Sequence, residues 1–523
     1  MTPRKFTIRG LTHTGAVLVI VPGSVSLPRY ILPGCALLIV LAFVTMTRAD
    51  PDLWGHVRFG GDMIDSAAIR VPDTYSFTSD KAWTNHEWLA EIIMASAYRL
   101  AGAAGLVILK LTIMALSLAC IWRIAMGDGA RVRSAAILSG LALVGILPRA
   151  QQVRPQIFSV LCFSALVLLL RRAEKRPALL WLAPPLLVFW ANTHGGWLVG
   201  CGTLGLWCAA RTWTMRSESA GFGRALATMW APCAGAVAAT LVNPYGLGLW
   251  SFLSETVGLS RRFIPEWGMV TGSLTTLGVW AIFALIMVVA IRRADRATRL
   301  PAIAVSVFWC LAAFKVSRLD AFFALSTIGL LTPELIQILH ARRRSDAPQP
   351  LSPVRQVVVG AVALVTLVAT LPLLKTNLLC IDVHAASTFP ESEAMAFVLD
   401  RQLRGRMVTF FDWGQYAIWH KPDALQVSMD GRRETVYSDR SVDLHLDMYL
   451  ALEDGLAYLD SLKADYVWVP GELPLASTLM KSPAWTPAYR GGRSIIFARS
   501  GLFPAGTPVQ KGADVHCRCF PGP

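Results

Sequence analysis

Charge is scarce in this sequence. Asp, Glu, Lys and Arg make up 16% of its 523 residues, whereas about a quarter of an ordinary soluble chain is charged. A well-solvated globular surface is excluded, and the 54% of hydrophobic residues with 18 tryptophans makes a polytopic membrane protein the expected class. Also missing are C-x-x-C pairs and zinc-ligand spacings, internal repeats of the kind that mark many transporters, and any motif that reads nucleic acid. The ten cysteines are scattered. Seven fall inside apolar runs, where a thiol behaves as a small apolar side chain. Cys380, Cys517 and Cys519 fall outside, and Cys517-Arg518-Cys519 is too close-set and isolated to be read as a bridge.

Acidic residues are few, and they are unevenly placed. Residues 1–374 hold 34 Lys+Arg and 17 Asp+Glu, whereas 375–523 hold 15 and 17. The basic excess belongs to the apolar part of the chain, where orientation in a membrane accounts for it, and no nucleic-acid partner is implied.

Apolar runs long enough to cross ~30 Å of hydrocarbon lie near 30–47, 103–124, 134–150, 154–171, 178–191, 194–212, 225–242, 273–291, 300–316, 319–339 and 355–373. Threaded from a cytoplasmic N-terminus, these spans leave inside turns rich in arginine: Arg131 and Arg133, Arg171 to Arg176, Arg211 to Arg224, Arg292 to Arg299, and Arg342 to Arg355. The positive-inside rule is met at each turn. About eleven spans put the loop 48–87 and everything after about Leu374 on the outer side. Residues 1–29 are basic, with a short apolar stretch broken by Pro22, and read as an uncleaved cytoplasmic or interfacial lead-in.

The loop after the first span opens with Asp50-Pro51-Asp52, a cap followed by proline. His56 to Ile69 reads as an interfacial helix with Phe59, Met63 and Ile64 turned to lipid or protein, and tryptophans as interface anchors. Asn85 is placed to cap the helix that carries Trp88 and Ile92 back into the membrane. From about 375 to 500 the pattern changes to an α/β domain, with strands at 408–411, 425–430, 465–469 and 494–498; residues 501–523 read as a disordered tail.

Asp52 and His56 share a helical face, and His86 and Glu87 return to the same surface. Carboxylates beside imidazoles suit general-base chemistry or a divalent cation held by Asp50 and Asp52. A helix cap in the favourable field of the dipole is the plainer reading of the same two aspartates. Arg149, Arg154, Lys315 and Arg318 sit in short outer connections, against the direction that orientation would give them. Bound phosphate explains them, as does an ion pair with Asp320 or another outer carboxylate. Asn192 and His194 stand among glycines at a span end, open to either a packing or a substrate role. Lys110 lies inside a span, where a charge is often functional, with snorkelling or pairing with Glu87 or Glu91 as the plainer reading. Arg261 and Arg262 lie in a further outer loop. In the tail, Asp412-Trp413-Gly414 and Asp430-Gly431-Arg432 read first as turns after strands.

Taken together, D-P-D-L-W-x-H (Asp50 to His56), N-H-E-W-L-A-E (Asn85 to Glu91) and D-W-G-x-Y with D-G-R (Asp412 to Tyr416, Asp430 to Arg432) resemble a group of membrane proteins similar to the GT-C glycosyltransferases of bacterial inner membranes. The resemblance implies a helical GT-C-like core with a periplasmic α/β domain, a polyprenyl-phosphate sugar donor, and an aspartate of the first outer loop as base or metal ligand. That aspartate is Asp52 if D-L stands in for the usual acidic pair, and Asp50 otherwise. Leu53 occupies the place of the second acid, which puts a divalent cation in question. The expected reaction is glycosyl transfer to a glycan, lipid or protein acceptor, with Asp52 as base and Asp50 and His56 orienting it. His86, Glu87, Arg149, Arg154, Asn192, His194 and Arg318 are the expected substrate contacts. A transporter or flippase of lipid-linked glycans, or a partner in envelope polysaccharide assembly, is the alternative.

Overall fold

The computed structural model describes residues 28–69, 72–215, 222–257, 265–341, 353–383, 389–504, 508–512 and 519–522. The lead-in to residue 27, Arg261, Arg262 and Cys517 lie outside them. The helices in chain order are α1 (Pro28–Thr45), α2 (Leu53–Ser66), α3 (Trp88–Gly127), α4 (Val132–Ala150), α5 (Gln156–Ala173), α6 (Ala183–Thr193) and α7 (Trp197–Thr214). There follow α8 (Phe222–Ala239), α9 (Gly248–Val257), α10 (Leu274–Ile291), α11 (Arg296–Lys315), α12 (Asp320–Leu330), α13 (Thr332–Ala341) and α14 (Pro353–Leu379). The C-terminal domain adds α15 (Ser392–Asp400), α16 (Gly414–His420), α17 (Asp439–Tyr449), α18 (Glu453–Ser461) and α19 (Pro474–Leu479).

The chain forms two compact units. One comprises residues 1–42 and 346–373, and its described part is most of α1 and α14. Both are apolar, and α14 leaves Val357, Val365 and Leu364 largely exposed, as suits a lipid-facing surface. The second unit holds everything else.

Among the described residues, six helices are long and apolar enough to cross a membrane, or seven if the bent pair 317–330 and 332–341 is one span. This is a multi-pass membrane protein, with fewer full-length spans than the eleven apolar runs. The runs at 30–47, 178–191 and 225–242 fold into shorter apolar helices, because hydropathy measures composition and cannot see where a helix starts or stops. The 66° bend falls at Leu331, just before Pro333, whose ring removes a donor and clashes with a continuing helix. In α3, Gly102 takes φ 58° and separates an entry segment from the long apolar one.

Lys110 is fully buried within α3. Among the described residues it pairs with no carboxylate: Nζ donates to the carbonyl of Met46 (2.9 Å) and to Thr47 Oγ1 (2.7 Å), just beyond the end of α1.

The C-terminal domain is built on a six-stranded sheet of β1 (Gly405–Thr409), β2 (Leu425–Val427), β3 (Tyr466–Pro470), β4 (Trp485–Arg490), β5 (Ser494–Arg499) and β6 (Gln510–Lys511). The order is β2-β1-β3-β5-β4-β6. β1 pairs in parallel with β2 and β3, while β5 runs antiparallel to β3 and β4. The central β3 is buried along its whole length, which is why Tyr466-Val-Trp-Val reads so clearly as a strand. β4 escaped the sequence reading because Pro487 interrupts it; the register shifts there, as proline in a strand requires.

Two expectations about the surface are corrected. Trp54 is no lipid–water anchor but fully buried, packed against Phe389, Tyr416 and Phe520 of the C-terminal domain at centroid distances of 5.0, 5.5 and 5.1 Å. The last residues are also partly ordered: β6 lies in the segment expected to be disordered, and Cys519 forms a disulfide with Cys380. The close spacing of Cys517 and Cys519 hid this bridge, whose partner lies 139 residues away.

Candidate active site

The first motif starts a helix two residues later than the cap expected at Asp50, with Asp52 at the N-cap position. Asp50 Oδ1 accepts the backbone N–H of Asp52 at 3.1 Å, and α2 begins at Leu53. Leu53, Trp54, Val57 and Phe59 form the apolar face of α2, buried against the C-terminal domain, so Asp52 and His56 are turned the other way. They face a cavity of about 840 Å³.

The cavity brings together Asp50, Asp52, His56, His86, Glu87, Arg154, His194 and Arg318. Arg154 is its hub: Nη1 lies 3.2 Å from Asp50 Oδ2 and 3.4 Å from Glu266 Oε1, and Nη2 donates to Asp52 Oδ2 at 2.9 Å. The other oxygen of Asp52, Oδ1, accepts no hydrogen bond among the described residues. Burial, and next the charge of Asp50, push Asp52 up to about 7, although Arg154 and His56 pull it back.

Beneath Asp52 lies a chain of imidazoles and carboxylates. His56 Nδ1 donates to Glu91 Oε1 (3.0 Å), and Asn85 Nδ2 holds the other oxygen of Glu91 (2.6 Å). Burial alone would lower His56, but the hydrogen bond to Glu91 and the charges of Glu87, Glu91 and Asp52 raise it to about 9. His56 is therefore an imidazolium at neutral pH and a poor proton acceptor. Glu87 lies within 3.6–4.0 Å of His86, His194 and His56. Burial pushes its carboxyl up, and the imidazoles with Arg154 outweigh that and hold it below the usual range. His194 goes the other way, down to about 3 through burial. Its Nδ1 accepts from Ser159 Oγ (2.7 Å) and the Gly196 N–H (3.0 Å), so the proton sits on Nε2, facing Glu87. Asn85 does not cap α3: its Oδ1 accepts the Glu87 N–H at 3.1 Å in a local turn, and its amide serves Glu91.

Arg318 stands apart. Its guanidinium lies over the Trp267 ring at 5.4 Å and, among the described residues, makes no hydrogen bond or ion pair. Arg149 and Asn192, by contrast, are not in the cavity wall. Arg149 binds Glu266 Oε2 (2.6 Å), Asp320 Oδ1 (3.1 Å) and the Ser317 carbonyl (3.0 Å). Asn192 accepts from Trp88 Nε1 and donates to the Val188 and Val242 carbonyls. Both braces have their polar groups spent on packing, and Lys315 is exposed.

The motifs read as turns in the tail form the other wall. Asp412, Gln415, Gly431 and Arg433 line the same cavity. Burial and the charge of Asp50 raise Asp412 to about 6. Gly431 approaches so closely that a Cβ there would overlap Asp52 Oδ1, and a Cβ on Gly55 would overlap the Gln415 side chain. The two segments interlock through absent side chains. Gly431→Ala is expected to displace Asp52 and lower turnover about 10²-fold, the cost typical of an ångström-scale misplacement, while the protein still elutes as a folded species; unchanged kinetics would refute the contact. Next to it, Arg432 Nη2 and Nε bind Asp430 (2.7 and 2.8 Å) and Nη1 binds Asp73 (2.8 Å). The same guanidinium lies 4.9–5.2 Å from the rings of Phe59, Tyr75 and Trp83. Sequence reasoning missed Glu91, Glu266, Asp412 and Gly431 as parts of the site. Three of them left a signal, since Glu91, Asp412 and Gly431 fall in the quoted motifs, whereas Glu266 falls in none.

The residues do not fit a divalent cation. Asp50 and Asp52 are already bridged by a guanidinium, Leu53 is buried in the apolar core, and the described residues hold no metal-type group of three or more His, Cys, Asp or Glu.

The helical bundle, the loop with its carboxylates and the sheet domain that closes over them make this a protein of GT-C-like fold. Neither a family model nor a curated protein matches the sequence. Among solved structures, the chain is similar to the oligosaccharyltransferase AglB from Archaeoglobus fulgidus in complex with an inhibitory peptide and a dolichol-phosphate: TM-score 0.54, 12% identity, 84% of this chain and 69% of that one. It is also similar to ArnT from Cupriavidus metallidurans in the apo state, with TM-score 0.53 and 14% identity over 90% of this chain and 98% of that one. The same ArnT bound to undecaprenyl phosphate aligns at TM-score 0.50 and 16% identity over 91% and 98%. At these identities the likeness is one of fold.

Proposed function

We propose that the protein is a bacterial inner-membrane glycosyltransferase that moves a sugar from a polyprenyl-phosphate donor to an acceptor hydroxyl at the periplasmic face. The observation that carries the reading is Asp52: a carboxylate with one oxygen uncommitted, in a large cavity that also holds the uncommitted guanidinium of Arg318. The cavity that holds Arg318 also has apolar lining from Leu198, Val199, Phe252, Leu253, Leu319 and Phe322, a surface suited to an isoprenoid chain. AglB with dolichol-phosphate and ArnT with undecaprenyl phosphate support a lipid-linked donor.

In the reaction, the acceptor O–H loses its proton to Asp52 Oδ1 as its oxygen bonds to the anomeric carbon from the face opposite the phosphate. The bond from carbon to phosphate oxygen breaks, its electron pair stays with the phosphate, and configuration inverts. Arg318 meets the growing phosphate charge. His56, pinned by Glu91, keeps a positive charge on the Asp52 side of the cavity and favours the ionised base.

The direct test is release of polyprenyl phosphate from labelled polyprenyl-phosphate sugars by purified protein. Failure to bind or turn over any donor would move the reading to transport or envelope assembly. Arg318→Ala is expected to raise KM for the donor by about 10-fold or more, the scale of one charge-assisted contact; an unchanged KM would remove Arg318 from the phosphate site. The pH profile of kcat/KM follows from the two shifted groups. Asp52 is protonated and idle below its raised value, so activity climbs as pH passes about 7. His56 surrenders its proton near 9 and activity falls again. A profile flat between pH 6 and 8 would refute Asp52 as base.

A further inference from the structure

We propose that Arg154 takes the place of a divalent cation, holding Asp50 and Asp52 together so that transfer proceeds without bound metal. The inference deepens the transferase reading and rests on it for the meaning of transfer, but its central test does not need turnover.

The geometry is that of a bridging cation. The two terminal nitrogens of one guanidinium reach one oxygen of each aspartate, 3.2 Å for Asp50 and 2.9 Å for Asp52. A metal at this point would need further ligands, and three of the neighbours are otherwise engaged. Leu53, which follows Asp52, is buried in the apolar interface; His56 Nδ1 serves Glu91; and Glu266 is shared by Arg154 and Arg149. A third carboxylate adds to its hold: Glu266 Oε1 lies 3.4 Å from Nη1, the nitrogen that also reaches Asp50. A guanidinium keeps its charge at any physiological pH and offers a planar fork that matches carboxylate oxygens, so it can fix the pair permanently where a metal would have to be acquired. Arg154 is thus a positioning residue: it acts through Asp52, leaving Arg318 to meet the phosphate.

The test is Mn²⁺ binding to the purified full-length protein, read by electron paramagnetic resonance, in wild type, Asp50→Asn, Arg154→Ala and the Arg154→Ala/Asp50→Asn double variant. No signal that depends on Asp50 is expected in wild type. Removing Arg154 is expected to create one, and adding Asp50→Asn to abolish it. A wild-type signal lost in Asp50→Asn would overturn the proposal, and so would a folded Arg154→Ala protein that binds no Mn²⁺. Should Arg154→Ala fail to fold, the wild-type comparison with Asp50→Asn still decides. Turnover adds two further readouts. Full activity in chelator supports the proposal, whereas activity abolished by chelator and restored by Mn²⁺ overturns it. In Arg154→Lys the acid limb of the pH profile moves up if Arg154 holds Asp52 down, and an unmoved limb contradicts the positioning role. Absence of turnover in every protein would count against the transferase reading alone, with the Mn²⁺ comparison left to decide the arginine.

Discussion

Asp52→Asn is expected to lower donor turnover by ~10²–10⁴-fold, the range a positioned general base contributes, with donor binding and folding retained. Asn matches the shape of Asp and still accepts a hydrogen bond from Arg154, so the change isolates the loss of the basic oxygen. Asp50 is the weaker candidate on geometry. Its side chain is 7% exposed against 23% for Asp52, and its oxygens are taken by the Asp52 N–H and Arg154. Asp50→Asn should therefore cost less than Asp52→Asn under the same assay. The reverse order would transfer the base to Asp50, and equal turnover by wild type and Asp52→Asn would remove the aspartate from the chemistry altogether.

The second large effect is on stability. Arg432→Ala is expected to loosen the C-terminal domain from the α1–α3 loop, because it strands two buried carboxylates. The Asp430 side chain is 0% exposed and Asp73 is 4% exposed, and breaking a buried pair from one side costs about 3–5 kcal/mol. Tyr437 would still donate to Asp430 at 2.9 Å, but no cation would remain in the ring of Phe59, Tyr75 and Trp83. The result should be a lower midpoint in thermal unfolding and earlier proteolysis near the loop 72–85. Arg432→Lys should recover only part of the loss, since a point charge cannot bind Asp430 and Asp73 in the same plane. An unaltered midpoint for the alanine variant would show that the cage is ornamental.

The parts legible in the sequence were those written in local pattern. Four of the six strands announced themselves as apolar runs, and the return helix at Trp88 was read from its apolar residues, although the cap expected at Asn85 is not there. The convergence of Asp52, His56, His86 and Glu87 was implied by their spacing about a loop. What remained hidden depends on contacts across the chain. Arg154 and Asp52 are 102 residues apart, and Arg432 and Asp73 are 359 apart; no periodicity encodes either pairing. The same blindness made Arg149 and Arg154 look alike. Both are arginines in one short connection, yet one is consumed by Asp320 and Glu266 and the other faces the cavity. Gly431 looked like a turn former because that is what Asp-Gly means locally, while its bare backbone matters for a carboxylate made far earlier.

The indole of Trp54 donates to the carbonyl of Pro521 at 2.8 Å across 467 residues of sequence. At the ~5–20 residues per second typical of protein synthesis, the loop that carries Asp50 and Asp52 emerges on the order of half a minute or more before the segment that closes behind it. The wall that faces the carboxylates, Asp412 to Tyr449, is itself made some hundreds of residues after them, and the contact that backs Trp54 comes later still. A chain released before that wall is made would carry the carboxylates and still have no chamber in which to work.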